Sequence, residues 1–88
     1  MEKEFSNVGG DEILEFYKKV SQRVRNLRES NGISQLDLAL EIGIKSVAFY
    51  SNCENNRYGK HFNLEHIYKI SKALNIKMSE ILKDIWLN

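Results

Sequence analysis

The 88-residue chain is predicted to fold as a compact all-α domain of five helices, with two short helices at its centre and an extended helix in front of them. Three observations lead there. Apolar residues recur three and four positions apart in successive stretches, the spacing of one helix face. Residues suited to start and stop helices, Ser34, Gly43, Asn63 and Asn75, stand at the breaks between those stretches. The chain has no proline, low-complexity tract or internal repeat that would point to a linker or a solenoid.

In chain order, residues 1–10 (MEKEFSNVGG) show no periodicity and end in a glycine pair, so they are expected to form a flexible N-terminal arm, with the folded domain running over 11–88. Asp11 is a plausible N-cap for a long amphipathic helix whose inner positions are Ile13, Phe16, Tyr17, Val20, Val24 and Leu27 and which stops at Asn31-Gly32. Its outward face is read as Lys18, Lys19, Arg25 and Arg28. Ser34 can cap the next helix with Asp37 at its third position, while Ile33 and Leu38 staple across the cap. Leu36, Ala39 and Leu40 then repeat at helical spacing, Gly43 permits the left-handed turn that ends the helix, and Ile44 returns to the core. A third helix follows over roughly 45–53, carrying small polar and aromatic side chains and few charges. The stretch 55–62 (NNRYGKHF) has no helical pattern and reads as a loop. Asn63 caps a fourth helix, stapled by Phe62 and Ile67, with Leu64, Ile67, Ile70, Ser71 and Leu74 facing in and Asn75 as a left-handed stop. The last helix, about 78–86, brings Met78, Ile81, Leu82, Ile85 and Trp86.

Composition narrows the functional classes. A chain of this length makes one domain, able to bury about 60% of its unfolded surface. Hydrophobic residues at 42% and charged residues at 28% are ordinary for a soluble protein, and no apolar run approaches the ~20 residues of a membrane span. The single Cys53 cannot form an internal disulfide, and the N-terminus lacks the apolar segment of a signal peptide, so a cytoplasmic location is expected. Cys53 reads as a small buried hydrophobe. With His61 and His66 it does not make the close-paired ligand set of a structural zinc site, so neither metal nor cofactor is expected. The motifs of nucleophile elbows, phosphate-binding loops and zinc proteases are absent, and an enzyme is not expected. Net charge is only +1, but residues 1–15 carry −4, which leaves +5 on residues 16–88, a basic body suited to nucleic acid.

Gln35-Leu36 with Leu38-Ala39, then Gly43-Ile44, then Glu54 resembles the helix-turn-helix of the phage-repressor and Cro type, here over residues 34–54. The resemblance extends to the flanks: RVRNLRESNG (23–32) is similar to that family's first helix and NLEHIYKISKALNIKMSEIL (63–82) to its fourth and fifth. It implies a repressor-like regulator that places its third helix in the major groove of double-stranded DNA. By the same resemblance Gln35 meets a phosphate or braces the third helix, and Arg23 and Arg28 lie toward the DNA backbone. The segment after Glu54 runs beside the phosphates, where Asn55, Asn56, Arg57 and Lys60 offer donors. On the third helix Lys45, Ser46, Val47, Phe49 and Asn52 are the side chains expected to reach base edges, since Asn can pair with adenine and Val or Phe can cover a thymine methyl.

The chain departs from the family by holding one residue more between Gly43 and Glu54. With that residue, Ala48, Tyr50 and Cys53 face inward and Phe49 outward; without it, Phe49 turns in. The apolar surplus of the last helix, Ile81, Ile85 and Trp86, is expected to form a homodimer interface about a two-fold axis, unless Trp86 folds back over Phe16 or Tyr17. Two other uses of the same fold stay open: an antitoxin whose residues 1–15 hold a toxin, and a protein-interaction module that does not touch DNA.

Overall fold

A computed structural model describes residues 9–86, so all but the end of the expected N-terminal arm lies outside the described residues. Every regular element among them is helical: α1 (Gly10–Ser30), α2 (Gln35–Glu41), α3 (Val47–Asn55), α4 (Leu64–Leu74) and α5 (Met78–Leu82), with a short 3-10 turn at Arg57–Gly59. α1 begins one residue before the expected cap. Gly9, not Asp11, is its N-cap, and no side chain bonds there; Asp11 and Glu12 instead lie in the first turn, where the helix dipole favours acidic groups.

The caps of α2 and α4 form as their sequences imply. Ser34 Oγ accepts from the Asp37 amide at 3.0 Å. Asn63 Oδ1 accepts from the His66 amide at 2.8 Å, and His66 Nδ1 accepts in return from the Asn63 amide at 3.1 Å, a reciprocal box with histidine in the place usually held by Glu or Gln. Gly43 adopts φ 80°, which lets the Ile44 amide reach back to the Ala39 carbonyl at 2.8 Å and Gly43 to Leu40 at 3.1 Å. Asn75 stops α4 in the left-handed region at φ 56°.

The core is built where the helices converge: Val20 and Val24 of α1, Leu38 and Ala39 of α2, Tyr50 and Cys53 of α3, Ile67, Ile70 and Leu74 of α4, and Ile81 of α5, closed by Ile42 and Phe62. Five expected inward positions on α1, α2 and α4 differ. On α1, Ile13 and Phe16 are exposed, and the buried stripe begins at Val20. On α2, Leu36 and Leu40 are exposed, because the buried stripe runs through Leu38, Ala39 and Ile42. On α4, Leu64 lies outside while the rest of its stripe is buried.

The C-terminal segment requires the largest correction. α5 stops at Leu82, because Lys83 is extended and Asp84 turns left-handed at φ 59°. Its last carbonyls are closed by Arg23 of α1, whose guanidinium donates to Glu80 O at 2.9 Å, Ile81 O at 3.1 Å and Lys83 O at 2.8 Å. Such groups have no partner within the helix, and a cation there also meets the negative end of the dipole. Ile81 is wholly buried and offers no surface to a second protomer. Ile85 packs on the core of its own chain, whereas Trp86 is 78% exposed and does not cover Phe16 or Tyr17. No helix of the described residues is long and apolar enough to cross a membrane.

Candidate nucleic-acid interface

α3 is held from behind by a buried carboxylate. Tyr50, Cys53 and Glu54 lie at i, i+3 and i+4, so they share the inward face of the helix, and Glu54 is only 2% exposed. Arg28 of α1 meets it with two parallel bonds, Nε to Oε2 at 2.9 Å and Nη2 to Oε1 at 3.0 Å. Gln35 of α2 donates to Oε1 at 2.8 Å, Tyr50 Oη donates to Oε2 at 2.8 Å, and Arg25 approaches Oε1 at 3.4 Å. Arg28 also ties the α1–α2 connection through the Ile33 carbonyl at 2.7 Å. One side chain thus fixes α3 to both α1 and α2.

Electrostatics follow from this packing. Burial is the largest influence on Glu54 and would raise its pKa, but the bonds from Arg28, Gln35 and Tyr50 outweigh it and hold the carboxyl below its ordinary range. The same hydrogen bond to Glu54 raises Arg28 further. Burial, then the bond to Glu54, pushes the Tyr50 phenol well up. At neutral pH the site is therefore an ion pair braced by two neutral donors. Arg28, read from sequence as an outward charge near the DNA backbone, is instead 8% exposed and a structural member of this network. Gln35 takes its bracing role.

The outer side of α3 starts from Ser46, whose Oγ accepts from the Phe49 amide at 3.1 Å and sets the first helical residue at Val47. The expected start near 45 is therefore two residues early. Val47 and Ala48 are exposed, Ser51 and Asn52 are partly so, and Lys45 stands free at the approach to the helix. Ala48 thus faces outward, contrary to the sequence reading. Phe49 turns inward, against the core and edge-on to His66 at 6.2 Å, which removes it from the side chains able to reach a base. Cys53 is buried, and burial raises its thiol more than nearby Lys60 lowers it, in keeping with a packing role.

After α3 the chain reverses through Asn56, at φ 54°. Its amide nitrogen bonds Ser21 Oγ at 3.0 Å, Cys53 O at 3.3 Å and Lys60 O at 3.3 Å. That donor fastens the loop to α1 and is not free for a phosphate, which corrects the sequence assignment. Asn55 is held too, its Nδ2 on Ser51 O at 2.8 Å and its Oδ1 accepting from Arg25. Arg57 and Lys60 remain exposed on the secured loop. Arg23, expected toward the DNA backbone, instead directs its guanidinium to the carbonyls at the end of α5.

A helix fixed at the rear by a buried ion pair, open along its front, and joined by a tight glycine turn to the helix before it defines a small helix-turn-helix protein. Comparison with known families agrees: the Helix-turn-helix family model matches residues 24–81, about two-thirds of the chain. The chain belongs to that family, DNA-binding regulators of the Cro and phage-repressor type. No curated protein and no solved structure gave a significant match. The first turns of α1 lie outside the matched span.

Proposed function

We propose that this protein is a sequence-specific transcriptional regulator that lays α3 in the major groove and binds a near-palindromic operator as a homodimer. The observation that carries the reading is the division of α3 into a face locked by Glu54 and a front of small side chains. Val47, Ala48, Ser51 and Asn52 are short enough to let the helix approach base edges. Val47 suits a thymine methyl and Asn52 an adenine edge. Lys45, the hydroxyl of Ser46, Arg57 and Lys60 surround that front with donors for phosphate oxygens.

Support for a dimer comes from Trp86 and from an open apolar groove of about 490 Å3 lined by Phe16, Tyr17, Leu64 and Leu82 among others. An exposed apolar knob and an apolar groove on one chain suit isologous pairing, which would set two α3 helices about 34 Å apart along the duplex. Selection of bound sites from random DNA tests the function. Enrichment of a two-fold-related sequence is expected, and recovery of no sequence preference would overturn it.

A further inference from the structure

Tyr58 stands out as a residue whose conformation gives no return within the fold. Its backbone is left-handed, at φ 56° and ψ 34°, where the Cβ of a bulky residue crowds the neighbouring carbonyl. The flanking left-handed positions hold Asn56 and Gly59, residue types that tolerate this region. The ring itself is 84% exposed, so it contributes little to the core. Strained backbone and an exposed aromatic ring both disfavour the free protein, and strain of this kind is concentrated where a ligand offsets it. The loop that carries it is nevertheless secured: Lys60 N bonds Arg57 O at 2.9 Å, and Asn56 ties the turn to Ser21. A ring presented on a fastened loop loses little further freedom on binding.

We propose that Tyr58 is a DNA-backbone contact, its ring lying along a deoxyribose and its hydroxyl donating to a phosphate oxygen, between the charges of Arg57 and Lys60. The proposal rests on the DNA-binding reading of the loop and adds an uncharged, sequence-independent clamp to it. Such a contact differs from its neighbours in a measurable way. Removing a lysine or arginine lowers the salt dependence of binding, whereas removing a phenol leaves that slope unchanged.

The test uses the full chain, a mixed-sequence duplex and a selected site, with binding followed by fluorescence anisotropy across a salt series and thermal midpoints measured alongside. Tyr58→Phe, which keeps the ring and the strain, is expected to weaken both duplexes about tenfold, the loss of one hydrogen bond to a charged group, with an unchanged midpoint. Tyr58→Asn is expected to weaken both at least as much while raising the midpoint, because asparagine suits the left-handed backbone. Parallel salt slopes in all three proteins support the clamp. Wild-type protein that binds no duplex overturns the DNA reading and the clamp with it. Wild-type binding with both variants within twofold of it overturns the clamp alone, and so does weakened binding accompanied by lowered midpoints, which would mark a structural role.

Discussion

Replacing Arg28 with alanine removes both short bonds to Glu54 and the bond to Ile33 O, leaving a buried carboxylate with Gln35, Tyr50 and, at 3.4 Å, the partly exposed Arg25. Stripping one partner from a buried ion pair costs about 3–5 kcal/mol. A domain of 88 residues has on the order of 4–13 kcal/mol in total, at about 0.05–0.15 kcal/mol per residue, so the loss is a large share of its stability. Each kcal/mol moves the midpoint of so small a domain by about 4–8 °C, which puts the expected fall at about 12–40 °C in a melt followed by circular dichroism. The double variant Arg28→Met with Glu54→Gln should recover much of this, because the new amide carbonyl can accept from Gln35 while its NH2 donates to the Tyr50 hydroxyl oxygen, with no buried charge. The acid limb adds a second reading. Glu54 is held below its ordinary value, so its contribution is fully present above the unfolded carboxylate pKa of 4.5 and is lost as pH falls through the folded value. The double variant should therefore unfold less steeply in acid than wild type. A cost for Arg28→Ala under about 1 kcal/mol, the scale of an exposed pair, would refute the buried-pair argument.

Arg57→Ala and Lys60→Ala should each weaken binding to all DNA sequences alike and lower the salt slope by about 0.9 per lost phosphate contact; unchanged slopes in both would take the loop out of the interface. Asn52→Ala should relax preference at one base position, by about 1–3 kcal/mol in a competition between operator variants, while leaving binding to random DNA nearly intact. Loss of folding in that variant would show that Asn52 serves the core. Trp86→Glu should shift sedimentation from dimer to monomer and weaken operator binding while leaving each chain folded, since the indole is exposed within one chain; a wild-type chain that stays monomeric at high micromolar concentration would remove the dimer.

The elements that were legible in the sequence are those decided by local chemistry. Ser34, Asn63, Gly43 and Asn75 each act on backbone within a few residues of themselves, so helix starts and stops followed directly from residue type. Ser46 carries the same kind of signal, and taking it as the cap would have placed the start of α3 at Val47. The end of α5 was not legible, because Asp84 makes the left-handed turn without a glycine or proline to mark it. The long cations were misread for a different reason: periodicity places a Cβ, whereas Arg23 and Arg28 act through guanidinium groups that meet partners 57 and 26 residues away.

A pairing signal was nonetheless present. Val20, Val24 and Arg28 step by four along the buried side of α1, and Tyr50 and Glu54 do the same on α3. A cation on one apolar stripe and an anion on another, in a chain too short for a second core, must find each other or stay unpaired at a cost neither helix can bear alone. It is this pair that separates the two faces of α3. With Glu54 fixed inward the rotation of the helix is set, and the side chains free to meet a base edge are those at positions 47, 48, 51 and 52, which is why the stability of the Arg28–Glu54 contact and the specificity of DNA binding should be lost together.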